Sequence, residues 1–301
     1  MVSVSLQSSR GRRDGLAAFS AHLLVALIAL VVVGGATRVM EAGLACPDWP
    51  LCYGSFLPGR QMNLQVFLEW FHRLDAFVVG VGLLVLTTVS WWWRRELPRW
   101  FPPVATLALA LVAIQAGLGA LTVTLLLPFP VVTAHLLTAL LLVALLSGAT
   151  QALWRSAGPS ELRPAKSQSH RWWSWWAAGS ALLVLAQCLL GGLMATQWAA
   201  GRCIGSGDGC EWLLLHRLGA RAVGLLVLLL AAVWSWKRPA DRWLAAASAL
   251  MVLLQIALGV LSLRFSLSVP AITIAHQLGA ALLVALLSAL VVRSGPELIH
   301  G

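Results

Sequence analysis

Glu69 and His72 are the first residues in this sequence whose types and spacing could do chemistry. They stand three residues apart near the start of a long apolar segment, about 66–93, and Arg73 follows directly. That spacing places both side chains on one face of a helix. An ionisable residue inside a membrane-spanning helix is costly and needs a partner, so it indicates function by default. We therefore expect a site where this helix enters the membrane.

Three further histidines stand at the head of apolar segments in the same way. His216 is followed by Arg217, which repeats the His-Arg pair, whereas His135 and His276 stand alone. Imidazole is a good ligand for haem iron, and two imidazoles from facing helices form a six-coordinate b-type site. The predicted iron ligands are His72 with His135 in the first half and His216 with His276 in the second.

Two simpler interpretations compete with haem binding. A lone histidine can cap a helix at the membrane interface, but four at matching positions favour a shared role. A zinc site is disfavoured because no third or fourth ligand recurs in both halves.

Arg73 and Arg217 could hold haem propionates through charge-assisted hydrogen bonds, or simply extend to the interface. The other histidines, His22, His170 and His300, are interpreted as interfacial or solvated.

The composition excludes a soluble globular protein. Of 301 residues, 59% are hydrophobic and only 11% are charged, and the mean hydropathy is +0.84. Crossing a bilayer takes roughly 20 apolar residues in a helix. The sequence thus predicts an all-α polytopic membrane protein with eight transmembrane helices. They cover approximately 16–40, 66–93, 100–123, 131–154, 172–196, 212–236, 243–263 and 270–292.

The basic residues predict the orientation of these spans. Most of the 21 lysines and arginines fall on the side of the chain termini, in segments 1–15, 94–99, 155–171 and 237–242. Cytoplasmic loops carry such an excess, so both termini are placed in the cytoplasm and the histidines toward the outer side. The net charge of +10 therefore reflects membrane topology, and no nucleic-acid partner is expected.

The two halves of the chain are similar. Besides the histidines, Gly34-Gly35 matches Gly191-Gly192, and a Gln-x-x-Leu-Gly motif occurs at 115–119 and again at 255–259. Each unit holds four spans, so the repeats share one orientation in the membrane. We predict two pseudo-symmetric four-helix bundles. They cover 16–154 and 172–292, joined by a cytoplasmic linker, 155–171, and flanked by cytoplasmic tails, 1–15 and 293–301.

One acidic residue breaks the repeat. Glu69 has Leu213 at the equivalent position of the second half. A carboxylate one turn from an iron ligand could move protons or stabilise a cationic intermediate, whereas an acid near a helix N-terminus is also favoured by the helix dipole. The asymmetry indicates that the two halves differ in function.

Four of the five cysteines form two close pairs in polar loops. Cys46 and Cys52 are separated by a segment with two prolines, and Cys203 and Cys210 are spaced similarly. On an oxidising face such pairs predict the disulfides Cys46–Cys52 and Cys203–Cys210. The pairs could be structural or redox-active, and both interpretations stay open. Cys188, within a span, is expected to be a packed hydrophobe.

Several motifs together resemble the haem A synthase family, in its bacterial form with paired cysteines. They are Gly-Gly-Ala-Thr-Arg at 34–38, Cys-Pro-Asp-Trp-Pro-Leu-Cys-Tyr-Gly at 46–54, Glu-Trp-Phe-His-Arg at 69–73, and the later His-Arg and His-Gln-Leu-Gly-Ala segments. The resemblance covers nearly the whole chain. It implies a membrane enzyme that oxidises a ring methyl of haem O to a formyl group, through successive hydroxylations and loss of water. The product, haem A, would serve terminal oxidases.

The resemblance also implies a division of labour. The second half would keep a haem b on His216 and His276, and the first half would bind haem O. The catalytic residues would be Glu69, His72 and His135. The second half departs from the Glu-x-x-His pattern, because Glu211 lies five residues before its histidine.

The family resemblance also implies a location in the cell, and the sequence leaves two other functions open. The implied location is the bacterial plasma membrane, whose lipid suits the isoprenoid tail of haem O. Haem O could be handed over by haem O synthase, and the electron donor is not identified by the sequence. Two other functions stay open: a b-type dihaem cytochrome for electron transfer, and a haem transporter or chaperone.

Overall fold

The computed structural model describes residues 2–157, 171–196 and 199–294, and these residues are helical without any β-strand. By length and composition, every helix but the short α6 could cross a membrane, which makes eight. The all-α, eight-span prediction is confirmed. The helices are α1 (Val2–Val39), α2 (Leu64–Trp92), α3 (Phe101–Thr124), α4 (Phe129–Ala157), α5 (Arg171–Thr196), α6 (Ala199–Gly205), α7 (Cys210–Lys237), α8 (Arg242–Arg264) and α9 (Pro270–Ser294).

The helices form two rings of four. In the first ring α1 packs on α2 and α4, and α3 closes it between α2 and α4. In the second ring α5, α7, α8 and α9 repeat this arrangement in the same order. The rings meet through α1 and α4 of the first and α5 and α9 of the second. The contacts α1–α9 and α4–α5 are equivalent in the repeat, so the whole arrangement is pseudo-two-fold.

The turns that end the repeats carry the same symmetry. Leu126 and Leu127, between α3 and α4, both have positive φ, and so do Ser266 and Leu267, between α8 and α9. In each turn the second residue donates its N–H back to a carbonyl in the last turn of the preceding helix. These matching turns reverse the chain direction, so that α4 and α9, which carry His135 and His276, run back along their bundles.

Packing between spans combines apolar burial with polar contacts. Leucines such as Leu142 and Leu287 are fully buried where α4 meets α9, while Val25 and Phe77 are 68% and 67% exposed on the outer surface. Because lipid is as apolar as leucine, helix association in a membrane depends on close packing and hydrogen bonds. Ser147 supplies one such bond, donating to the Ala285 carbonyl at 2.7 Å across the two rings.

The end of the molecule opposite the histidines is basic. Arg12 pairs with Glu96, whose backbone carbonyl accepts from Arg13 at 2.8 Å. Asp241, which is 4% exposed, pairs with Arg293 at 3.1 Å. The basic segments assigned to one side of the membrane therefore meet at one end of the bundle.

The boundaries differ from the sequence predictions at the termini and the linker. Helix α1 begins at Val2, so the predicted tail 1–15 is largely part of the first helix rather than separate from it. The predicted linker lies mainly outside the described residues, as do most of the tail 293–301, His170 and His300.

Candidate functional site

His72 on α2 and His135 on α4 face each other inside the first bundle. Their ring centroids are 6.5 Å apart and their planes are inclined by 73°. Two imidazoles that share one metal ion stand about 6 Å apart, since each metal–nitrogen bond is about 2 Å long. The spacing of this pair therefore fits a shared iron.

Each of the four histidines lies against a glycine of a neighbouring helix. A Cβ atom at Gly34 or Gly191 would press on the Cε1 atom of the ring, whereas one at Gly119 or Gly259 would meet it at ordinary contact distance. The contacts follow the repeat and differ little between the halves. The glycine–histidine pairs, with that distance, are Gly34–His72 at 2.8 Å, Gly119–His135 at 3.4 Å, Gly191–His216 at 3.0 Å and Gly259–His276 at 3.4 Å.

Three of the rings carry a buried nitrogen that is not hydrogen-bonded. The Nδ1 atoms of His72, His135 and His276 make no hydrogen bond of normal geometry among the described residues, although backbone groups of Leu30, Gln115 and Gln255 lie near the three rings. A buried polar atom in this state costs about 1–3 kcal/mol, so its presence calls for an explanation. A haem iron, which takes an imidazole nitrogen as its ligand, would provide one. The residues present fit this cofactor.

The ring of His216 is held differently. The Gln187 amide nitrogen lies 2.9 Å from its Nδ1 and donates to the His216 carbonyl at 2.7 Å. Gln187 stands four residues before Gly191, and the residue four before Gly34 is Leu30. The first half therefore has no such clamp. The prediction from sequence missed Gln187, whose only signal was a polar residue in an apolar span.

His216 on α7 and His276 on α9 stand at positions equivalent to those of His72 and His135, and each ring lies against a glycine of the neighbouring helix. Gln255 of α8 donates to the His276 carbonyl at 2.8 Å. Each candidate site thus offers two imidazoles. In the parts of the chain that the structure describes, no cluster of three or more His, Cys, Asp or Glu could hold a bare metal ion.

Glu69 is buried, with 4% of its surface exposed, and both carboxylate oxygens are engaged. Its Oε2 accepts the Cys46 N–H at 2.8 Å, and its Oε1 accepts from Arg73 at 2.5 Å. Arg73 also donates to the carbonyls of Asp48 at 2.6 Å and Leu51 at 2.5 Å. The acid therefore lies one turn from the iron-ligand candidate His72 and, with Arg73, anchors the loop that begins at Cys46.

That loop, 46–52, is closed by a disulfide. The structure contains both predicted bonds, Cys46–Cys52 and Cys203–Cys210, and leaves Cys188 as a free thiol. Asp48 accepts the N–H groups of Gly54 at 2.8 Å and Tyr53 at 2.6 Å. The Gly54 hydrogen bond is the main cause of a lowered pKa at this carboxyl, which keeps Asp48 ionised as a cap for the turn.

The two arginines proposed for haem propionates differ in their surroundings. The Arg73 guanidinium donates hydrogen bonds to Glu69 and to backbone carbonyls of loop 46–52. Arg217 is exposed and makes no side-chain hydrogen bond within the described residues. A propionate role is therefore easier to reconcile with Arg217 than with Arg73, and it stays a prediction for both.

Comparison with known proteins finds relatives that cover most of the chain. The family described as COX15-CtaA, cytochrome oxidase assembly protein, matches residues 17–288. A "Heme A synthase" of Shewanella oneidensis is 28% identical over 313 residues, covering 86% of this chain and 91% of its own. A "Heme A synthase" of Rhizorhabdus wittichii is 27% identical over 333 residues, covering 92% and 93%.

A shorter match is of a different kind. A "Protoheme IX farnesyltransferase" of Halobacterium salinarum is 31% identical over 114 residues, which is 38% of this chain and 24% of that protein. The family match, by contrast, extends over nearly all the described spans and includes all four histidines. The chain therefore belongs to the COX15-CtaA family of cytochrome oxidase assembly proteins.

Proposed function

We propose that this protein is a haem A synthase, which oxidises a ring methyl of haem O to a formyl group. One observation carries the proposal: two repeat-related histidine pairs are present, and only the first has a buried carboxylate beside it. An electron-transfer protein with two equivalent haems has no use for that asymmetry. The relatives named "Heme A synthase" support the same conclusion.

The two halves divide the work. His72 and His135 would bind the substrate, haem O, while His216 and His276 would hold a resident haem b, which would supply electron transfer. Gln187 supports this division, because its side chain anchors His216 on two atoms whereas no side chain among the described residues is hydrogen-bonded to the His72 ring. An anchored ligand suits a permanent cofactor, and an unanchored one suits a haem that must enter and leave.

The iron of the bound haem supplies the oxidising chemistry, and the protein supplies binding and orientation. His72 and His135 orient the substrate from opposite spans. Glu69 is positioned to hold a proton at its carboxylate oxygens or to stabilise positive charge beside the porphyrin. Loop 46–52, tied down through Cys46 and Arg73, covers this end of the bundle and limits the access of water.

The membrane supplies the route for the substrate. The protein is a multi-pass membrane protein, and large apolar side chains such as Phe77 face outward from its spans. We place it in the bacterial plasma membrane with cytoplasmic termini and with both haem sites near the outer leaflet. The isoprenoid tail of haem O can then stay in lipid throughout. Handover from a haem O synthase fits this arrangement.

The test is the haem composition of cells that make the chain together with a haem O synthase, in a host that lacks haem A. Haems are extracted and separated, and their pyridine haemochromes are recorded. We expect haem A to accumulate. If only haem B and haem O are found while the chain is present in the membrane, the enzyme assignment is wrong.

Replacing Gln187 with leucine is expected to weaken retention of haem b by about 10–100-fold, because partners of ligating histidines contribute that much to affinity. The measurement is haem content per chain after dilution or competition with apomyoglobin. Gln115→Leu is the matched control, since Gln115 accepts from Thr138 at 2.5 Å and contacts no second-half ligand. Equal haem retention in Gln187→Leu and the unmodified chain would show that the Gln187 hydrogen bonds do not help His216 to hold haem b.

A further inference from the structure

Gln277 reaches from the second bundle into the first. It follows His276 on α9, and its amide nitrogen donates to the Val31 carbonyl of α1 at 3.1 Å. Its amide oxygen would lie 2.2 Å from a Cβ atom at Gly35, so a larger residue there would force the Gln277 amide to move. The Val31 carbonyl lies one helical turn before Gly35, and the missing side chain leaves it open to a donor from another helix.

The neighbouring glycine makes the next contact. Gly34 lies against the His72 ring so closely that a Cβ atom added to it would be 2.8 Å from Cε1. A continuous chain of contacts therefore runs from His276 through Gln277, Gly35 and Gly34 to His72. Two iron-ligand candidates from different halves are joined by one side chain and two residues of a packed helix.

The repeat contains a symmetry-related joint without the polar link. Leu136 follows His135 and packs on Gly192, where a Cβ would lie 2.9 Å from its Cδ2. The adjacent Gly191 lies against the His216 ring. Each bundle thus inserts one side chain against a glycine of the other bundle. That side chain is glutamine at Gly35 and leucine at Gly192.

We propose that Gln277 is a positioning residue through which the haem b half fixes the place of His72 and thereby the binding of haem in the first half. The proposal rests on the proposed function, because it requires haem at both histidine pairs. Hydrogen bonds between spans are directional, so they fix the register of two helices in a way that apolar packing in lipid does not. The polar joint stabilises the ligand that has no clamp of its own.

The test uses the full chain loaded with iron protoporphyrin IX at both sites. Gln277→Leu keeps the shape, as Leu136 shows at the symmetry-related joint, and removes the hydrogen bond. We expect affinity for the first-half haem to fall about fivefold, the usual worth of one hydrogen bond. The low-spin ferric signal of that haem should shift while the second-half signal stays. The signals are assigned with His72→Ala and His276→Ala.

Two glycine substitutions that introduce a steric clash at these joints test the proposal independently. Gly35→Ala should disturb the first-half haem and Gly192→Ala the second-half haem, each without effect on the other. Gly35→Ala combined with Gln277→Ala should disturb the first-half haem less than the two single effects added together, because the clash is relieved. This cycle decides the question even if Gln277→Leu does not fold.

The outcomes are separable. A chain that binds two haems but shows the same first-half affinity and spectrum in Gln277→Leu, or additive effects in the cycle, overturns the role of Gln277 alone. A Gln277→Leu change confined to the second-half haem overturns it too, because the side chain would then act on its neighbour His276. An unmodified chain that binds no haem overturns the proposed function as well.

Discussion

Glu69→Gln is expected to keep haem bound in both halves and to lower haem A formation by at least about 100-fold, the lower range for loss of a proton-transferring group. Glutamine retains an oxygen that can accept the Cys46 N–H, so the link to loop 46–52 survives in part. It cannot take up a proton or carry negative charge beside His72. The measurement is haem A and haem O content per chain, with the total haem content as the check on binding.

Two further variants separate chemistry from loop anchoring. Glu41→Gln alters an exposed acid between α1 and α2 and should leave conversion unchanged. Arg73→Gln removes the donor that holds the carbonyls of Asp48 and Leu51 but keeps the acid. We expect it to lower conversion less than Glu69→Gln does. Because Arg73 also pairs with Glu69, equal losses in both would show that conversion depends on this ion pair and its hold on the loop rather than on proton transfer by Glu69. Normal haem A yield in Glu69→Gln would remove the role of Glu69 altogether.

His276→Ala is expected to remove most of the haem b and to stop conversion, while the bundle remains folded. One imidazole of a bis-histidine site cannot hold the iron as tightly as two, and the substrate haem then loses its electron supply. The variant leaves a cavity beside Gly259 into which free imidazole fits. Added imidazole should therefore restore a low-spin haem spectrum, which a general loss of fold would not allow.

His22→Ala is the matched control for this change. His22 lies on α1 with its Nδ1 bonded at 2.7 Å to the Ala18 carbonyl, and it stands roughly 18 Å along the helix from Gly34, which contacts His72. Its haem content should equal that of the unmodified chain. An unaltered spectrum in His276→Ala would mean that this histidine does not ligate haem.

The sequence was sufficient for the parts of the site that repeat. The eight spans follow from apolar length, and His72, His135, His216 and His276 stand out because they recur at the heads of matching spans. Their packing against glycines follows the same repeat. Both disulfides could be predicted because their cysteines are close along the chain. Local spacing and internal similarity are readable without a structure.

Contacts between segments that are distant in the chain could not be predicted from the sequence. Gln187 and Gln277 are both uncharged polar residues within apolar spans, yet the first is bonded to a histidine of its own half and the second to the backbone of the opposite half. Arg73 was assigned to a haem propionate from its place beside His72, whereas its donors are largely used by loop 46–52. A partner contributed by another helix or loop becomes visible only when the bundle is assembled.

The start of α1 shows a second limit. Apolar length predicts where a span begins in the membrane, near residue 16, but not where its helix begins. The helix extends back to Val2, and Arg12 meets Glu96 at the basic end of the bundle. Polar residues with adequate helix propensity continue a helix into water, and hydropathy does not register them.

The central claim is that each half holds one iron between two histidines of facing spans. Electron paramagnetic resonance of the ferric chain loaded with haem tests it most directly. We predict two distinct low-spin bis-histidine signals, with His72→Ala abolishing one and His276→Ala abolishing the other. A single low-spin signal, or two signals that both survive these substitutions, would contradict the account.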